Sequence, residues 1–174
     1  MGLIIQGIKD KFSSVPKEER LKFQGISLGE NIDTFEAQLQ LRGWVKSSDV
    51  PKSMSLIAKG YDGTFNGKKA ILVICYNIVL RNIQFVTIAY AKINRDEVLK
   101  QNQENIRRII EIYGVTPQKR SFMDTVFEET VFEMKHGRIE CSIESAENGY
   151  YNAVVVYTNN PNNVRFVESR YNEF

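Results

Sequence analysis

The chain is poor in the residues that most enzyme classes need. Its single histidine, His136, sits beside a glycine in a turn-like stretch. Zinc sites and Ser-His or Cys-His nucleophile pairs draw on histidine, so its scarcity weighs against both. Two cysteines, Cys75 and Cys141, lie in mid-run among Ile and Val. That setting reads as buried free thiols of a reducing compartment rather than a disulfide or a reactive thiol. There is no phosphate-binding glycine loop: Gly25 and Gly29 lack a following Lys-Ser/Thr, and Gly60, Gly63 and Gly67 fall inside a hairpin pattern. No cofactor and no metal is expected.

Charge of one sign is lacking too. The net charge is +2, from 23 basic against 21 acidic residues, which gives no global attraction to nucleic acid or an anionic surface. Lys119-Arg120 and the Arg165/Arg170 pair are too thin for a nucleic-acid stripe. No apolar run approaches the roughly 18 residues of a membrane span. Residues 1–10 lack the long apolar region and small-residue cleavage site of an export signal. A cytoplasmic location is expected for the chain as written, and an exported one if a leader was trimmed.

What is present is a pattern used twice. Phe35–Gly43 reads as a helix ending in glycine and is followed by three β-rich runs, near 54–65, 69–77 and 83–92. Residues 95–113 again read as a helix, stopped by Gly114 and Pro117, followed by runs at 126–135, 138–145 and 150–158. Asn31 or Asp33 is the expected N-cap of helix 33–42. Val98, Ile106, Ile109, Ile110 and Tyr113 form the apolar stripe of helix 95–113, with Asp96 and Glu97 in its first turn. The run 126–135 also fits a helical period through Met123, Val126, Phe127, Thr130 and Met134; the strand reading is preferred. Residues 21–26 alternate and read as a short strand. Ile4, Ile8 and Phe12 make residues 3–13 a short amphipathic helix, and 17–20 a solvated linker. The expected organisation is an N-terminal helix and linker over 1–20, then one compact domain over 21–174 with pseudo-repeats at about 21–94 and 95–160. The fold class is α+β, two related helix–β units forming antiparallel sheet with the helices on one face.

Hairpin register assigns side chains to faces. A turn at Asn66-Gly67 puts Ala58, Gly60, Ile71, Val73 and Cys75 on one face and Ile57, Lys59, Tyr61, Leu72, Ile74 and Tyr76 on the other. Both are largely apolar, so either helix 3–13 covers the second or it is an exposed sticky surface. A turn at His136-Gly137 pairs Met134 with Ile139, Phe132 with Cys141 and Thr130 with Ile143 on a core face. It opposes Glu133 to Glu140, Glu129 to Glu144 and Lys135 to Arg138 on the other. Opposed like charges are destabilising, so this is either a water-screened solvent face or an acidic stripe kept for a basic partner. As a glycosidase pair, Glu133 and Glu140 lack the apolar pocket that would separate their protonation, and no Asp-rich loop accompanies them for calcium.

Leu21-Lys22-Phe23-Gln24-Gly25-Ile26-Ser27-Leu28, the helix ending in Arg42-Gly43-Trp44 and the hairpin Gly63-Thr64-Phe65-Asn66-Gly67-Lys68-Lys69 together resemble a group of small uncharacterised proteins of gut Bacteroidetes. That family has no assigned activity, so the resemblance implies no catalytic residues; many of its members are exported. The plan is also similar to tandem β-lactamase-inhibitor-like and PepSY-like folds, which implies a sheet face that engages a protein. The leading expectation is therefore a non-enzymatic protein-binding module of the inhibitor or sequestration type. Its open sheet face would carry Tyr61, Leu72, Ile74 and Tyr76 as anchors, with Glu129, Glu133, Glu140 and Glu144 as a flank steering a basic partner. The alternatives are a small-ligand carrier with a pocket between sheet and helices, lined by Tyr90, Tyr150 or Tyr151, and an unrecognised enzyme.

Overall fold

The computed structural model describes residues 20–51, 56–121 and 127–159. In chain order these form strands β1 (Lys22–Phe23) and β2 (Ile26–Ser27), helix α1 (Ile32–Leu41), strands β3 (Val45–Pro51), β4 (Leu56–Phe65), β5 (Lys68–Asn77) and β6 (Ile83–Ile93), helix α2 (Arg95–Tyr113), and strands β7 (Gln118–Arg120), β8 (Glu129–Met134), β9 (Gly137–Ser145) and β10 (Tyr151–Asn159). The protein is α+β. Strands β3 to β10 make one antiparallel eight-stranded sheet in the order β3-β4-β5-β6-β10-β9-β8-β7, and β1 and β2 pair apart from it. Each helix is followed by four strands rather than three. Residues 1–19, and the expected helix 3–13 with them, lie outside the described residues.

Local chemistry explains the element ends. Asn31 caps α1, its side-chain carbonyl accepting from the Thr34 amide at 2.9 Å; Asn94 does the same for α2 through Glu97. Gly114 ends α2 in the left-handed region, where glycine has no Cβ clash. Asn66 and Gly67 both take positive φ, as a two-residue turn matched to strand twist requires, and the register Phe65↔Lys68 through Ile57↔Tyr76 follows. The expected strand over 21–26 is instead the β1–β2 hairpin, folded back at Gln24-Gly25, again with positive φ.

The second hairpin differs from expectation by two residues. Phe132 faces Ile139 and Glu133 faces Arg138, with the turn at Lys135-His136. Gly137 belongs to the strand: a Cβ there would lie 2.4 Å from the Thr158 carbonyl oxygen and 2.4 Å from Leu21 Cδ1. Close packing, not turn geometry, places that glycine. An even slip leaves every side chain on its face, so Thr130, Phe132, Met134, Ile139, Cys141 and Ile143 still point to the core. It does change the opposed pairs. Glu140 faces Val131, and the expected Glu133–Glu140 and Lys135–Arg138 oppositions do not occur.

The core lies between the sheet and a cover made of α1, α2 and residues 21–28. Phe23 is at its centre, stacked 5.4 Å from Phe65, edge-on to Tyr157 at 5.7 Å and tilted against Trp44 at 6.2 Å. This cover decides the question the first hairpin left open. The Tyr61/Leu72/Ile74/Tyr76 face is the helix-covered one, so these four residues are core: Tyr61 is 0% exposed, Tyr76 4%, and Leu72 and Ile74 are fully buried. The Tyr61 hydroxyl donates to Glu36 on α1, which also takes the Lys59 ammonium, and that ammonium sits 5.4 Å over the Tyr76 ring. They cannot serve as partner anchors while the protein is folded. On the outer face Ala58, Cys75, Val131, Val154 and Thr158 are also buried, and Ile71 is partly exposed. Both cysteines are buried thiols, as expected.

Candidate ligand pocket

One face of α2 does more than pack. Asn105, Arg108, Ile109, Ile112 and Tyr113 follow each other at steps of three and one, which puts them on one stripe. This stripe stands against β10 at Val155 and Tyr157, the β4–β5 turn at Phe65 and Asn66, and the β1–β2 hairpin at Arg20, Lys22, Gln24 and Gly25. Together they enclose a cavity of about 610 Å³, within the range of roughly 300–1,000 Å³ common to small-molecule sites. The hairpin is anchored so as to wall it: the Tyr113 hydroxyl donates to the Lys22 carbonyl at 3.1 Å, and Arg42 Nε and Trp44 Nε1 donate to the carbonyl and side chain of Gln24, each at 3.0 Å.

The body of the cavity is apolar, from Phe65, Ile109, Val155 and the Tyr157 ring, with Ile112 at its rim, 73% exposed. Among the described residues, Arg20, Lys22 and Arg108 line it and no Asp or Glu does. Glu104 bonds Arg108 Nε at 2.6 Å from outside the lining. Arg107 and Arg108 hold the Glu104 carboxyl well below the usual range, at about 2, so it stays ionised.

Polar groups reach the wall through a relay. Lys68 Nζ donates to Gln101 Oε1 at 2.6 Å, and Gln101 Nε2 donates to Asn105 Oδ1 at 2.9 Å. Asn105 is 2% exposed, and among the described residues its Nδ2 has no partner and almost no accessible surface, as is true of Asn102 Oδ1 one turn before it. A buried amide donor left unpaired costs about 1–3 kcal/mol.

Tyrosine protonation carries a testable signature of this packing. Burial pushes the Tyr90 phenol up to about 12 and raises Tyr113 and, most strongly, Tyr157; it also pushes the Cys141 thiol up to about 12. A group with a raised folded-state pKa leaves stability intact below its unfolded value and erodes it above. With unfolded values near 9 for thiol and 10 for phenol, stability is expected to hold to about pH 9 and to fall progressively toward pH 12. Thermal midpoints measured between pH 8 and pH 11.5, alongside phenolate absorbance, check this. An unchanged midpoint across that span would mean that these groups are not buried as described.

Of the tyrosines expected to line a pocket, Tyr90 stands behind this wall, donating to the Phe65 carbonyl at 3.2 Å, but it does line a second, smaller cavity of about 330 Å³ between the sheet at Lys68 and Ile93 and α2 at Glu97 and Gln101. Tyr150 is 48% exposed at the β9–β10 turn, and Tyr151 packs on Phe127. Tyr113 and Tyr157 are the ones that line it. The sequence did carry a signal: Gln101, Asn102 and Asn105 interrupt the buried stripe of an amphipathic helix where apolar residues belong, while Ile110, expected in that stripe, is 41% exposed.

The expected acidic flank is a mixed surface. Arg138 Nε lies 3.0 Å from Glu140 without hydrogen-bond alignment, and Arg120 pairs with Glu133 at 3.1 Å. Burial raises the Glu140 carboxyl above its ordinary range. Glu133 and Glu144 are exposed, and Glu129 is half-buried beside Arg120 in the β7–β8 register. His136 lies in the β8–β9 turn, away from the cavity lining. Among the described residues no group of three or more His, Cys, Asp or Glu could hold a metal, and no helix is long and apolar enough to cross a membrane. Compared with known proteins, the chain matches no family model, no curated protein and no solved structure.

Proposed function

We propose that this protein is a non-enzymatic small-ligand carrier whose site is the cavity between α2, β10 and the β1–β2 hairpin. The observation that carries the reading is the cavity of about 610 Å³ itself, apolar at Phe65, Ile109 and Val155 with Lys22, Asn66 and Arg108 among its polar lining. An apolar cavity of this size with a few polar groups in its wall is the form that small-molecule sites take. The order of helix then four strands, used twice and joined where β6 meets β10, supports reading the fold as two related units. In that reading the second unit's helix keeps a gap over the sheet, while α1 closes down on Tyr61 and Lys59. Sequestration remains the functional theme, with a small molecule in place of a protein.

The neutral, environment-sensitive dye N-phenyl-1-naphthylamine tests this. Saturable one-site uptake with enhanced emission is expected. Ile112→Trp at the rim is expected to weaken it about tenfold or more, whereas Ile71→Trp on the outer face leaves it unchanged. Uptake insensitive to Ile112→Trp, or lost with Ile71→Trp, would overturn the assignment.

A further inference from the structure

The floor of the cavity holds a hydroxyl with nothing to bond, and this inference rests on the carrier reading. Exposure falls from the rim inward: Ile112 is 73% exposed, Tyr157 7%, Ile109 4% and Val155 1%. The Tyr157 ring is fixed edge-on to Phe23. Its hydroxyl makes no hydrogen bond among the described residues. Nor is it sealed in. Among the described residues, the buried polar side-chain atoms with neither a partner nor accessible surface are Asn102 Oδ1, Asn105 Nδ2 and Arg138 Nε. The Tyr157 hydroxyl therefore keeps some accessible surface, and the cavity that this residue lines supplies it. The neighbouring hydroxyls are committed, Tyr113 to the Lys22 carbonyl and Tyr90 to the Phe65 carbonyl. The Lys22 side chain is exposed and that of Arg108 is 41% exposed, so water serves both at the mouth.

We propose that the cavity takes a neutral, largely apolar molecule with a carbonyl group, a ketone or an ester. Its oxygen accepts from the Tyr157 hydroxyl, and its hydrocarbon lies along Phe65, Ile109 and Val155. Burial raises the Tyr157 pKa, so the group stays a protonated donor. A carbonyl accepts that proton and brings no donor of its own. An alcohol brings a second hydroxyl hydrogen, and one bond between two hydroxyls leaves the other hydrogen unpaired. A carboxylate at this depth would set a full charge among apolar side chains, at a desolvation cost that one neutral donor does not offset. A pure hydrocarbon would shut the hydroxyl off from water and leave it unpaired.

Displacement of N-phenyl-1-naphthylamine from the full chain by 2-nonanone and by 2-methyl-1-nonene tests this. The two probes share a skeleton, with a methylene in the alkene where the ketone has its oxygen. Tyr157→Phe keeps the ring and removes a hydroxyl that has no protein partner, so it is expected to fold as the parent does. It is expected to lower the preference for the ketone over the alkene about three- to tenfold, the worth of one hydrogen bond. The infrared carbonyl stretch of bound 2-nonanone gives a second readout. It is expected at lower frequency in the unsubstituted chain than in the Tyr157→Phe chain, because a hydrogen bond weakens the C=O bond. A ketone preference that Tyr157→Phe leaves in place, or a carbonyl stretch identical in the two chains, would overturn the carbonyl assignment and leave the cavity as a site for apolar ligands of any kind. Absence of saturable dye uptake by the unsubstituted chain would remove the carrier reading itself, and this inference with it.

Discussion

Tyr61→Asp is expected to abolish cooperative folding. The side chain is fully buried, and its hydroxyl reaches Glu36. An aspartate there leaves a ring-sized void and places a second carboxylate toward Glu36 in a site shielded from water. Either the charge is buried against a like charge or a proton must be taken up to neutralise it. Together with the lost aromatic packing, the cost is expected to exceed about 4 kcal/mol, a large part of the stability of a domain this size. Tyr61→Phe keeps the ring and removes only the hydrogen bond, at about 1 kcal/mol. Circular dichroism with urea titration separates the two. A Tyr61→Asp protein that unfolds cooperatively near the normal midpoint would mean that Tyr61 is a surface anchor after all, and it would restore the docking face that its register first suggested.

Asn159→Ala is the second large effect. The Asn159 side-chain amide donates to two backbone carbonyls, Leu28 and Ile83, each at 3.1 Å and buried. It ties the end of β10 to the start of β6 and to the segment that carries Phe23 and the hairpin wall. Removing it strands two buried acceptors, expected to cost about 2–4 kcal/mol and to lower the thermal midpoint by about 5–15 °C in a chain of this length. Asn159→Asp keeps the shape but cannot donate from either oxygen when ionised, so it should be worse than alanine. An aspartate variant as stable as the parent would mean that the two carbonyls find other donors.

The parts of this fold legible in the sequence are those with a local cause. Asn66-Gly67 needs positive φ at both residues, and no competing demand acts on them, so turn and register both follow. Asn31, Asn94 and Gly114 mark helix ends through one hydrogen bond or one dihedral angle each. Gly137 misled because a glycine has two uses: beside His136 it resembles a turn residue, but it is there to let Leu21 and the Thr158 carbonyl approach. β3 escaped notice because Val45–Pro51 contains Lys, two Ser, Asp and Pro, the composition of an edge strand that discourages further pairing. β7 at the other edge is three polar or basic residues, Gln118–Arg120.

Which sheet face is covered was not legible. Both faces of β4 and β5 are apolar, and the choice depends on where α1 and residues 21–28 dock, a non-local matter. Tyr61 and Tyr76 looked like anchors because tyrosine suits interfaces, but the same large ring and polar tip suit a core in which Glu36 accepts the hydroxyl. The cavity could have been suspected from the amides of α2 alone, since Gln101, Asn102 and Asn105 fall on the buried side of a helix that otherwise offers Val98, Ile106 and Ile109. Their meaning required knowing that Lys68 orients the relay.

The most direct measurement is a map of amide chemical-shift changes on adding N-phenyl-1-naphthylamine to the isotopically labelled chain. The account expects the perturbed amides to cluster at residues 105–113, 20–25, 65–66 and 155–157. Perturbations centred instead on the outer face of β4, β5 and β6, around Ile71, Val73 and Ala89, with residues 105–113 unmoved, would contradict it.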